Sequence, residues 1–115
     1  MIDWTRVSDL RSEIGDDGFA EVTDLFLEET DEVIARLSGS GPIGSGVAAD
    51  IGRDLHFLKG SSLNLGFSDL AALCQDGERR AMAGEGSSVD LARILDCYAA
   101  SKSGFLRGLA QQSAA

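Results

Sequence analysis

His56 is the only histidine among the 115 residues, and its surroundings suit nucleophilic chemistry. A neutral imidazole attacks at neutral pH without a separate base to activate it. Lys59 follows at i+3 and Gly60 at i+4, one helical turn along, while Gly52 lies one turn before. A phosphoryl group on this imidazole would carry negative charge that Lys59 could offset. Gly60 costs about 1 kcal/mol against alanine inside a helix. Close approach from outside, close helix packing or chance must account for it.

The element that carries these residues reads as a helix over about 47–65. Ile51, Leu55, Leu58, Ser62 and Leu65 recur at spacings of four and three, one face of a 3.6-residue period. At roughly 100° per residue, His56 points about 140° away from that apolar stripe. A large partner could then reach the imidazole, covering Gly60 and Leu63 on the same side and Gly52 one turn back.

His56-x-x-Lys59-Gly60-Ser61-Ser62-x-x-Leu65-Gly66 resembles the signature of the histidine-containing phosphotransfer (HPt) domain of two-component phosphorelays. The resemblance implies an all-α fold, an up-down four-helix bundle. It implies that His56 accepts a phosphoryl group from a receiver-domain aspartate and passes it to another, with Lys59 steadying the group. It also implies receiver domains as partners, those of a hybrid histidine kinase and of a downstream regulator. The chain itself would bind no cofactor and no metal, since the receiver supplies magnesium. The alternative is a helical adaptor that sequesters a receiver without phosphate exchange.

Other chemistries fit less well. A Ser-His-Asp triad needs an activated serine, and Ser61 and Ser62 lie on the wrong side of the helix. One histidine makes a metal site only if several carboxylates converge on it. A sensor-kinase dimerisation helix usually follows its histidine with an acidic residue and later a proline. Here Phe57 follows, and no proline comes after His56. No glycine-rich nucleotide-binding domain is evident, so the chain reads as a phosphocarrier without kinase activity of its own.

The remaining chain supplies the scaffold. Asp3 can cap a short first helix, with Ile2 and Val7 as a hydrophobic staple and Gly15 as its stop. Its length suggests a lid across a bundle. Asp16-Asp17 open a second helix to about Ser38, with Phe19, Val22, Phe26, Val33 and Leu37 inward, Thr30 filling a turn, and strongly acidic other faces. Leu27 and Ile34 flank that stripe and either pack against a neighbouring helix or form an exposed docking patch. Residues 38–46, rich in Gly and Ser around Pro42, read as a flexible connector. Gly66 suits a left-handed stop, and Ser68 can cap a fourth helix whose inner face holds Leu70, Leu73, Cys74 and Ala81. Gly77 stands on this face where similar domains more often carry a larger apolar residue. Arg79 and Arg80 read as solvated or as a basic rim. A break at 84–88 precedes a last helix, capped by Ser88, that runs to about Gln111 and frays beyond.

Hydrophobic residues at 43% and charged residues at 25% describe a single globular domain over 1–115. A net charge of −9 disfavours nucleic acid and anionic membranes as partners. Neither a signal peptide nor an apolar span is evident, so a cytoplasmic monomer is expected. Cys74 and Cys97 read as buried free thiols.

Overall fold

Asp3 starts the first helix as expected: its Oδ1 accepts the Arg6 amide at 3.2 Å, and its carbonyl accepts the Val7 amide at 3.2 Å. The computed structural model describes residues 2–39, 45–85 and 88–114. Among these the fold is all-α, with helices α1 (Trp4–Gly39), α2 (Ser45–Leu65), α3 (Ser68–Met82) and α4 (Leu91–Ala114). The one departure is an isolated antiparallel bridge between Ile2 and Phe67. The connector expected before α2 falls mainly on residues 40–44, outside the described residues, as do 86–87 of the second break.

The two helices expected on either side of Gly15 are arms of one element. Gly15 has φ 78° and ψ 165°, a conformation essentially confined to glycine, so α1 bends there without a loop. The short arm, 4–14, closes one end of the bundle. Trp4 stacks on Phe105 at 6.0 Å, and a Cβ at Gly108 would lie 2.1 Å from the Trp4 ring. Across the same end, the Asp3 amide donates to the Gly66 carbonyl at 2.7 Å and Arg6 reaches Asn64 at 3.3 Å. Gly66 has φ 78°, and a Cβ there would meet the Asp3 carbonyl oxygen at 2.5 Å. Glycine is therefore required twice over where α2 stops.

Pairings along the helices show the up-down order. Gly52 faces Ala81 and Leu55 faces Gly77, which sets α2 and α3 antiparallel. Arg36 of α1 reaches Asp54 of α2 at 2.9 Å. Asp31 of α1 accepts from the Tyr98 hydroxyl and from Lys102 of α4, the latter at 2.8 Å. Burial and the neighbouring Asp31 push the Tyr98 hydroxyl up, so it stays a donor. Leu55, Leu58 and Phe105 are fully buried at the centre. Each such side chain contributes about 1.5–3 kcal/mol.

Several local expectations change in the folded chain. Leu27 is buried and Ile34 packs on the core, so both serve packing. Phe67, not Ser68, holds the N-cap position of α3. Asp90, not Ser88, caps α4 by accepting the Arg93 amide at 3.1 Å. That helix continues past Gln111 to Ala114. Arg79 and Arg80 both hold Asp76, at 2.5 and 2.8 Å. Both cysteines are free, but only Cys74 is fully buried, and burial pushes its thiol up to about 12. It is inert at neutral pH.

Candidate functional site

The apolar stripe of α2 sits where its spacing puts it. Ile51, Leu55, Leu58, Ser62 and Leu65 are buried, and the Ser62 hydroxyl is satisfied by the Leu58 carbonyl at 2.5 Å. Their burial turns the opposite face outward. The His56 side chain is 67% exposed, on a helix surface that a large partner can reach.

Glu78 of α3, which the sequence did not single out, meets it there. Gly77 makes this possible: a Cβ at 77 would lie 2.9 Å from Leu55 and 3.3 Å from Val89. Only a residue without a side chain lets α3 come so near α2 at this level. The next residue, Glu78, then lies at the rim between the helices. Its Oε1 is 2.8 Å from His56 Nδ1, and its Oε2 is 3.0 Å from Lys59 Nζ. The Lys59 ammonium is ion-paired with this buried Oε2.

The charge state of Glu78 decides what the imidazole can do. Burial raises its carboxyl, but the bonds and charges of Lys59 and His56 outweigh burial and hold it below the ordinary value. It is thus an anion at neutral pH and can only accept. A 2.8 Å contact to an acceptor requires the proton on Nδ1. In the neutral ring Nε2 then carries the lone pair. The site presents a nucleophilic nitrogen of fixed identity, held from behind by a carboxylate.

The other site residues separate in the structure. Gly60 is exposed, and a Cβ there would meet nothing within 4 Å, which rules out helix packing as its reason. Leu63 is 57% exposed and outside the core. Gly52 differs from expectation: it is buried, and its added Cβ would touch Ala81 at 3.7 Å. It serves the α2–α3 contact and is not part of the surface around His56. Lys59 also differs in where it points, since it lies on Glu78 and its side chain is only 26% exposed.

A signal for Glu78 does exist in the sequence. It follows Leu70 and Cys74 at i+8 and i+4, so an acid stands at the margin of an apolar stripe, where a charge requires a partner. The stripe could not say which partner.

A family model described as the Hpt domain matches residues 21–104. The chain belongs to the Hpt domain family. The matched segment contains His56, Lys59 and Glu78 and omits the short arm of α1. No curated protein and no solved structure matches the chain. Hpt domains carry out phosphotransfer in two-component systems and generally interact with response-regulator receiver domains. Among the described residues, no helix of this Hpt domain is long and apolar enough to cross a membrane. A cavity of about 440 Å³ at the Gly15 elbow, lined by Arg11, Phe19 and Leu109 among others, includes no residue of α2.

Proposed function

We propose that this Hpt domain carries a phosphoryl group on Nε2 of His56 between receiver aspartates in a phosphorelay. The observation that supports this most is the 2.8 Å bond from His56 Nδ1 to Glu78, which leaves Nε2 as the free nucleophile on an exposed helix face. Nε2 attacks the phosphorus of the receiver's acyl phosphate in line. The N–P bond forms, the acyl O–P bond breaks, and its electron pair returns to the aspartate carboxylate. The ring becomes cationic while keeping its Nδ1 proton, and the Glu78 carboxylate offsets that charge. The reverse sequence discharges His56 to a second receiver. Little acid–base chemistry is needed, because such transfers depend on positioning and charge neutralisation. Magnesium bound by the receiver would neutralise the phosphoryl oxygens, and this chain would bind no cofactor.

Under this reading the domain is a monomeric cytoplasmic carrier between the receiver of a hybrid histidine kinase and a downstream regulator. Its net charge of −9 fits a protein without nucleic-acid or membrane partners. The test is incubation with a phosphorylated receiver. An acid-labile, base-stable label on His56 is expected, and His56→Gln should fold normally and take none. Acid-stable label, or undiminished labelling of the variant, would refute the assignment. A His56→Gln protein that kept full cellular activity would favour an adaptor without phosphate exchange.

A further inference from the structure

The basic residues within one turn of His56 along α2 are Arg53, at i−3, and Lys59, at i+3. Lys59 is already engaged at 3.0 Å by Glu78. With the phosphorylated ring cationic, His56, Lys59 and Glu78 together would carry only about one net positive charge. A phosphorylated side chain brings about −1.5 to −2 charges.

The direction of the imidazole shows where a further cation would be useful. Glu78 follows Gly77, which faces Leu55, and precedes Ala81, which faces Gly52. Glu78 therefore stands beside the 52–55 turn, and both His56 and Lys59 reach back along α2 to meet it. This agrees with the lean of helical side chains toward the N-terminus. The ring thus leans back toward the 52–55 turn, and Arg53, in that turn, is exposed. At about 100° per residue, Arg53 and Lys59 stand on opposite flanks of His56, each about 60° away.

We propose that Arg53 is a second phosphoryl-binding residue, closing on the group from the flank that Lys59 and Glu78 leave open. The proposal rests on the reading of His56 as the acceptor. A guanidinium is always charged and its fork matches two phosphoryl oxygens. A cation there favours the transferring group more than the free imidazole, which speeds uptake and steadies the product. Arg53 takes part in an interaction in the resting protein. A dianion on His56 would compete with that interaction for the guanidinium.

Phosphoramidate labelling of the whole chain tests this without a receiver. The Nε2–P bond forms as the P–N bond of phosphoramidate breaks and ammonia leaves with its electron pair. Arg53→Gln should melt at the wild-type temperature, yet take label about fivefold more slowly and lose it sooner. Arg53→Lys should recover most of the rate, and about 0.5 M salt should shrink the gap between wild type and Arg53→Gln. If Arg53→Gln gains and loses phosphate at wild-type rates while His56→Gln takes none, the Arg53 assignment is overturned and that of His56 stands. A wild-type protein that takes no label from either phosphoramidate or a receiver overturns both.

Discussion

Glu78 accepts from His56 Nδ1 at 2.8 Å, and this bond joins α3 to α2 at the only histidine of the chain. A carboxylate that holds the ring by one nitrogen selects the other for chemistry. Glu78→Ala should therefore lower the fraction of the Nδ1–H tautomer, read from ¹⁵N chemical shifts, and slow phosphoryl uptake about tenfold. The fold should persist, since the carboxylate stands at the rim between α2 and α3 and outside the apolar core. Unchanged tautomer and rate would show that the bond has no part in positioning the ring.

Lys59 gives a second prediction. Its ammonium is shared between Glu78 and any group on His56, so Lys59→Ala should shorten the phosphohistidine lifetime. The pair is largely buried, with the side chains of Lys59 and Glu78 26% and 15% exposed, so its loss should also cost about 1–3 kcal/mol of stability. Thermal melts and label-decay curves on the same samples separate the two effects. Equal lifetimes would leave Lys59 only as the partner of Glu78.

Gly60 and Leu63 separate docking from folding. Space around Gly60 is open, so Gly60→Gln should raise stability by about 0.5–1 kcal/mol through helix propensity. It should nonetheless obstruct a receiver. Leu63→Glu, at an exposed position, should change stability by less than about 0.5 kcal/mol while weakening receiver binding. Binding titrations that matched wild type for both variants would remove this face from the interface.

Acid should weaken the bundle through Asp31 and Glu78. Burial raises both carboxyls, but Lys102 and Tyr98 for Asp31, and Lys59 and His56 for Glu78, hold them below the ordinary values of 3.8 and 4.5. A depressed carboxyl contributes stability above its unfolded value, and the contribution disappears as pH falls through the folded one. The Tm difference between wild type and Lys102→Ala should stay level from about pH 8 to pH 5 and close below about pH 4. A difference that persisted into strong acid would show that Lys102 acts through packing.

Much of this domain was legible in its sequence because the features are local and periodic. The 3.6-residue stripe of α2 determined that Leu55 and Leu58 turn inward and His56 outward. Gly15 and Gly66 marked backbone conformations that side chains resist, and Asp3 had the chemistry of a cap. The motif around His56 was specific enough to indicate the family. Tertiary structure decided what depends on the distance between helices. Gly52 and Gly60 look alike in sequence, yet one is pressed against Ala81 and the other faces open space. Gly77 stood in the sequence only as a glycine on an apolar face, and in the bundle Leu55 and Val89 close on it. That close approach brings Glu78 to the rim, where it takes both His56 and Lys59. A residue's own period tells which way it points, but its partner lies on another helix, 22 residues along the chain from His56, and only the packed bundle sets the two at bonding distance.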